Sequence, residues 1–239
     1  MDQKNIFLSK GFCKYENLID DEEVNKLRLI YDSLLNDLVS TAHLRSDLGG
    51  QGELGSEKIT QLMRPSSLLP ELLESKAYQV ANLQAQSLLG KDLVLDFDML
   101  INKMPFTNTA TPWHQDAAYW IDLPDKRAAS CWIALEEAHE ENGCMWFIPK
   151  KDDQIRAHQA IVEGGALSCE APKEKAVCIP LQPGDCTFHD GFTMHYSKGN
   201  TTAQNRRALI LNFRPKDMVD LERAQGIDHL GERKVRNKP

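Results

Sequence analysis

The sequence predicts a mainly β fold with flanking helices, a β-sandwich or jelly-roll barrel, and three observations carry that expectation. The hydrophobic period is helical over the first third of the chain and changes to two from residue 92. Strand-like stretches then follow at short spacing: "DLVLDFDMLINK", "ASCWIAL", "GCMWFIP", "AVCIPL", "DCTFH" and "RALILNF". Turn chemistry separates them, as in "ENG" at 141–143 and "QPGD" at 182–185, where Pro183 and Gly184 suit the central positions of a type II turn. At 239 residues the chain reads as one domain, with N-terminal helices in 1–91 bracing a jelly-roll core in 92–215.

The elements follow in order. Asp20 or Asp21 caps a first helix whose Val24, Leu27, Ile30, Leu34, Leu35 and Leu38 form one apolar stripe. A second helix is expected from near Pro70 through Leu72, Leu73, Ala77, Val80 and Leu88, with Gly90 as its stop. Between them "RSDLGGQGELGS", residues 45–56, reads either as a surface loop or as a lid over a pocket. In the first strand, Leu93, Leu95, Phe97, Met99 and Ile101 are expected on one face and Val94, Asp96, Asp98, Leu100 and Asn102 on the other.

Composition narrows the function. With 41% hydrophobic and 26% charged residues the chain can bury a proper core. Its formal charge of −7 argues against a nucleic-acid partner, which needs a basic face. No apolar run is long enough for a membrane span, and "MDQKNIFLSKGF" lacks the basic-then-apolar pattern of a secretory signal. Six scattered cysteines without a C-x-x-C pair suggest reduced thiols and a cytoplasmic protein.

The chemistry concentrates in "TPWHQDAAYW", residues 111–120. On an extended segment, alternate side chains share a face, so His114 and Asp116 can reach one ion while Gln115 points away. Two imidazoles and one carboxylate on one side of Fe(II) leave three positions open, so a second histidine is needed. His43, His139 and His158 sit in a helix end, an acidic loop and a charged segment and are expected at the surface, and His229 lies in a polar tail. His189 and His195 remain, both after a strand in "DCTFHDGFTMHYSKGN"; His189 reads equally well as a partner of a ligand or as an ordinary interior histidine. The surroundings favour His195, which is followed by Ser197, Asn200 and Arg206. An arginine on the next strand can return to the same barrel mouth, and its planar fork suits a carboxylate beside the metal. Of Arg206 and Arg207, one is expected to be exposed.

These residues resemble the phytanoyl-CoA dioxygenase family of Fe(II)- and 2-oxoglutarate-dependent oxygenases. The matching stretches are "EKI" at 57–59, "MLINK" at 99–103, "WHQD" at 113–116, "CWIALEEAHEENGCMWFIP" at 131–149 and "PGDCTFHDGFTMHYSKGNTTAQNRRA" from 183, with "GFCKYENLIDDEEVNKL" near the start. The resemblance implies a double-stranded β-helix of cupin type. It implies iron held by His114, Asp116 and His195, and 2-oxoglutarate paired with Arg206 and hydrogen-bonded by Ser197. It further implies that Lys58, Met99 and Trp132 contribute to the cosubstrate pocket. Two departures stand out: "PKKDDQ" replaces the family's P-G-S-H after "WFIP", and Asp116 is not the small residue that frees a chloride site in related halogenases.

The implied activity hydroxylates a C–H bond of a small metabolite, consuming 2-oxoglutarate and O2 and releasing succinate and CO2. An acidic chain without an evident basic patch favours a free metabolite over an acyl-CoA. Two rivals stay open: a Zn-dependent cupin-type hydrolase or isomerase, in which Arg206 has no evident task, and a non-catalytic small-molecule-binding barrel, which has no need of a complete ligand triad.

Overall fold

The computed structural model describes residues 2–41, 43–50, 52–53, 55–160 and 166–229. Helix α1 (Gln3–Lys10), strand β1 (Phe12–Tyr15) and helix α2 (Asp21–Leu35) lead into β2 (Arg45–Asp47), β3 (Ile59–Met63), a short α3 (Pro65–Leu68) and α4 (Lys76–Leu89). The strands continue with β4 (Leu93–Lys103), β5 (Thr111–His114), β6 (Ala129–Ala134), β7 (Met145–Phe147), β8 (Gln159–Ala160) and β9 (Leu167–Ser168). Then come β10 (Val177–Ile179), β11 (Cys186–His189), β12 (His195–Ser197), β13 (Arg206–Pro215) and helix α5 (Lys216–Ala224). A seven-stranded sheet runs β1-β11-β6-β13-β4-β3-β2 and a four-stranded sheet β10-β7-β12-β5, with β8 and β9 paired separately. Every strand pairing is antiparallel, and the fold is a jelly roll braced by helices.

Period two explains why the large sheet has two cores. Cys131 and Ile133 of β6 and Leu209 and Leu211 of β13 pack outward with α1, α2 and α4, meeting Phe7, Leu27, Tyr31, Ala81 and Leu88. Trp132 and Ala134, with Ala208 and Ile210, turn the other way to join Met145 and Phe147 of the small sheet. Asp20 caps α2 by accepting from the Glu23 N–H at 3.0 Å. Gly184 has φ +86° and supplies the left-handed position of the "QPGD" turn.

Three expectations change. The second helix does not run unbroken from Pro70: a 3-10 turn over Pro70–Glu74 ends at Ser75, and the α-helix begins at Lys76. The β4 alternation slips by one where Asn212 and Phe213 pair with Phe97 and Leu95, so Asp96 is passed over in a bulge. Leu93 and Leu95 therefore join the helix-side core, while Phe97, Met99 and Ile101 face the inter-sheet cavity. The 45–56 stretch is partly strand: Arg45–Asp47 pairs with β3, and Asp47 accepts from the N–H groups of Gly49, Gly52 and Ile59. Gln51 and Leu54 of that stretch lie outside the described residues.

Candidate metal centre and cosubstrate pocket

Between the sheets lies a cavity of about 580 Å³. His114 ends β5 and His195 opens β12, and the two are paired directly across strands. Gln115 keeps an extended backbone (φ −123°, ψ 130°), so the Asp116 side chain emerges on the His114 side. Gln115 itself is buried pointing away, its amide donating to the Gln154 and Phe192 carbonyls and accepting from the Arg156 N–H. Asp116 Oδ1 is 3.7 Å from His114 Nε2 and 3.5 Å from His195 Nε2. Donors held about 2.1 Å from one ion at right angles stand about 3 Å apart, so a small inward shift closes this set on a metal.

The surroundings fix that geometry. His114 Nδ1 donates to the Pro112 carbonyl at 2.7 Å and His195 Nδ1 to the Thr193 carbonyl at 3.0 Å, because a carbonyl can only accept. Each ring is thereby set in the tautomer that aims the Nε2 lone pair at the centre. Asp116 Oδ2 accepts from Ser130 Oγ at 2.9 Å and from His189 Nε2 at 3.1 Å, and Ser130 in turn accepts from Asn212 Nδ2. His189 is thus the partner of a candidate ligand. Burial raises the Asp116 pKa, but the imidazoles of His195, His189 and His114 outweigh it and hold the group well below the usual carboxylate range. Burial lowers the pKa of His114 and, further, that of His195, which favours the neutral form that a metal requires.

Further along the cavity stands Arg206, 1% exposed and 5.1 Å above the Trp132 ring. Its Nε and Nη1 have no hydrogen-bond partner among the described residues. Burial pushes its pKa down to about 10, so it stays charged at neutral pH. A buried guanidinium with free N–H groups is costly unless an anion completes it, and a ligand carboxylate is such an anion. Ser197, Met99 and Trp132 line the same cavity. Lys58 does not: its side chain is exposed, and it precedes β3. Gln61 and Met63 are the β3 side chains that reach the cavity, with Gln61 Nε2 3.2 Å from the Met99 sulfur.

Lys103 is the buried lysine of this region, at 0% exposure. Its Nζ donates to the carbonyls of Thr109, Ser197 and Lys198 at 3.0, 3.2 and 2.6 Å, tying β4 to the start of the loop after β12. Desolvation, and then the nearby Arg206 charge, lower its pKa well below the ordinary lysine value.

Two histidines outside the centre are held more tightly than their polar sequence surroundings suggest. His229 is not a surface residue; Asp96 and Glu222 hold its ring in a buried ionic cluster. His158 is half-buried, because its Nε2 accepts from the Gln115 N–H at 3.0 Å. Neither arginine of the 206–207 pair is exposed: Arg207 is held against Glu136 and Asp32. Asp96, Glu222 and His229 also stand close enough to share an ion, but Arg214 and Arg223 already supply their countercharges. The sequence did not single out Ser130, although period two puts it on the same face as Trp132.

The profile of the phytanoyl-CoA dioxygenase (PhyH) family matches residues 7–208. The peroxisomal phytanoyl-CoA dioxygenase of Rattus norvegicus is 22% identical over 91% of this chain and 69% of its own length. A methylphosphonate hydroxylase of Gimesia maris is 30% identical over 54% of this chain and 48% of its own. Among solved structures, EvdO2 of Micromonospora carbonacea var. aurantiaca complexed with 2-oxoglutarate superposes with a TM-score of 0.73 at 28% identity, covering 89% of this chain and 90% of that one. The 2-oxoglutarate-dependent epimerase SnoN from nogalamycin biosynthesis shares the fold, with a TM-score of 0.67 at 20% identity, covering 89% of this chain and 81% of that one. Fold and centre together define a non-haem Fe(II)- and 2-oxoglutarate-dependent oxygenase. The chain belongs to the phytanoyl-CoA dioxygenase family.

Proposed function

We propose that His114, Asp116 and His195 hold Fe(II), that Arg206 anchors the distal carboxylate of 2-oxoglutarate with Ser197 beside it, and that the enzyme hydroxylates a C–H bond of a small molecule. One observation carries this reading: a convergent imidazole–carboxylate–imidazole set and a buried guanidinium with unpaired N–H groups open onto one cavity. Met99 and Trp132 wall the cosubstrate end, and Trp132 also supports the guanidinium face. Iron with 2-oxoglutarate and O2 supplies the oxidising power, the net change being C–H, 2-oxoglutarate and O2 to C–OH, succinate and CO2.

The chain's own part is positional. The carbonyls of Pro112 and Thr193 keep the two imidazoles in the metal-binding tautomer, and Ser130 with His189 keeps the carboxylate turned toward them. Phe97, Tyr119, Trp120 and Met63 exclude water and offer apolar contacts, which suits a substrate whose reacting portion is apolar. The unpaired cysteines support a reducing compartment such as the cytoplasm. Among the described residues no helix is long and apolar enough to cross a membrane. A zinc hydrolase leaves Arg206 without a task, and a pure binding barrel leaves the hydrogen-bonded ligand set without one.

The test is succinate formation from 2-oxoglutarate by the Fe(II)-loaded protein across a panel of small metabolites, with products weighed for one added oxygen atom. Succinate release and oxygen insertion are expected with Fe(II) and not with Zn(II), and both are lost in Asp116→Ala. Full activity in that variant rejects the assigned centre, and a product of unchanged mass rejects hydroxylation.

A further inference from the structure

On the metal side, the cavity has a wall that neither the proposed metal ligands nor the cosubstrate pocket accounts for. Register along β4 serves as a ruler. Lys103 pairs with Arg206, whereas Phe97 pairs with Asn212, whose amide holds the Ser130–Asp116 contact. At about 3.3 Å per residue, these levels lie about 20 Å apart along the strand. Phe97 therefore marks the metal side of the cavity, away from the backbone of Arg206. There the lining continues onto Gly226, Ile227, Asp228 and His229, the segment just after α5.

That segment is pinned at three successive residues. Arg223 Nη1 donates to the Ile227 carbonyl at 2.9 Å, and Arg64 Nη1 donates to the Asp228 carbonyl at 3.1 Å. His229 Nε2 lies 3.1 Å from Glu222 Oε2 and 3.3 Å from Asp96 Oδ2, and its ring packs 4.4 Å from the Phe97 centroid. His229 takes a left-handed backbone, φ +60°, a conformation uncommon for non-glycine residues though better tolerated by histidine than by most. The charged groups around the imidazole are Asp96 from β4, Arg214 from β13, Glu222 and Arg223 from α5, and Arg64 between β3 and α3, which holds the adjacent Asp228 carbonyl.

We propose that Gly226–His229 forms the substrate-side wall of the cavity, and that His229 is the positioning residue that seats this wall by bridging Asp96 and Glu222 against Phe97. The inference rests on the oxygenase reading only for the word substrate; the seating of the wall stands on its own contacts. It assigns Asp96 and Glu222 the task of holding the C-terminal segment, for which the metal centre has no use.

Burial lowers the imidazole pKa, but the Asp96 and Glu222 carboxylates outweigh it and leave the pKa raised. The seat is therefore complete below about pH 6.5, the ordinary histidine value, and weakens as pH rises through the raised value.

The test is hydrogen–deuterium exchange over residues 220–229 across that range, in the wild type, His229→Ala and His229→Gln, together with acrylamide quenching of the Trp120 fluorescence isolated by comparison with Trp120→Phe. In the wild type, protection of the segment falls about tenfold between about pH 6 and about pH 9 and Trp120 becomes more accessible. In His229→Ala the segment is weakly protected and Trp120 accessible throughout; in His229→Gln protection is intermediate and independent of pH. Protection and quenching in His229→Ala equal to wild type overturn the proposal, as does a pH response that survives in His229→Gln. Affinity of the Fe(II)-loaded protein for 2-oxoglutarate is measured beside them and is expected to be unchanged in both variants. Its absence in the wild type rejects the oxygenase reading without touching the exchange result.

Discussion

At the residue scale, the proposed centre depends on how each candidate ligand is itself held. Ser130 Oγ and His189 Nε2 occupy one Asp116 oxygen and leave Oδ1 facing the two imidazoles. Ser130→Ala removes one of these donors without changing any ligand. Fe(II) affinity is expected to fall about tenfold to a hundredfold, measured by competition with a chelator; unchanged affinity means the hydroxyl does not orient the carboxylate. Arg206→Lys keeps the charge but loses the planar fork and the stacking on Trp132. The expected result is a KM for 2-oxoglutarate about tenfold or more higher, equivalent to about 1.4 kcal/mol or more, with Fe(II) affinity intact. That His114, Asp116, His195, Ser197 and Arg206 share one cavity was legible because chemistry this demanding needs specific residue types at fixed offsets. His229 was not: its partners Asp96 and Glu222 lie more than a hundred positions apart in sequence, and no local pattern links a tail histidine to them.

At the element scale, β4 joins both ends of the cavity. Its bulge at Asp96 turns Phe97, Met99 and Ile101 toward the cavity and puts Asp96 under the C-terminal segment. A regular period-two strand was the natural reading of "DLVLDFDMLINK", since a bulge leaves no mark in the alternation of residue types. Helices α2 and α4 and strands β4, β6, β7, β10, β11 and β13 were readable from hydrophobic period, whereas α1, β1, α5 and the short β8, β9 and β12 were not. Nor were strands β2 and β3, because a glycine-rich stretch lies between them and the pairing of β3 with β4 is long-range. At the far end of β4, the fully buried Lys103 satisfies three backbone carbonyls. Lys103→Met leaves those carbonyls unpaired and is expected to lower unfolding stability by about 3 kcal/mol, read by denaturant titration. A loss well under 1 kcal/mol contradicts that structural role.

At the scale of the whole molecule, the charges give a pH response with a definite sign. Burial holds His114 and His195 below the ordinary histidine pKa, so the unfolded chain takes up protons near pH 6.5 before the folded one does. These two residues therefore lower the stability of the metal-free protein as pH falls from about 6.5, and the raised His229 acts in the opposite sense above it. Replacing His195 by Gln is expected to flatten the acid side of the stability profile, measured as thermal midpoints from about pH 5 to 7. Because the folded imidazoles stay neutral, metal binding should persist below pH 6.5. The jelly roll brings these groups together by pairing β5 with β12 in the small sheet and placing β13 and β4 across from them, so one cavity joins the candidate ligand set, the guanidinium and the Gly226–His229 wall. The most direct test of that arrangement is anaerobic calorimetric titration of 2-oxoglutarate into the protein with and without Fe(II). We expect binding at one site per chain that requires the metal, disappears in Asp116→Ala and weakens in Arg206→Lys; binding that is equal with and without iron and unaffected by either substitution would contradict the account.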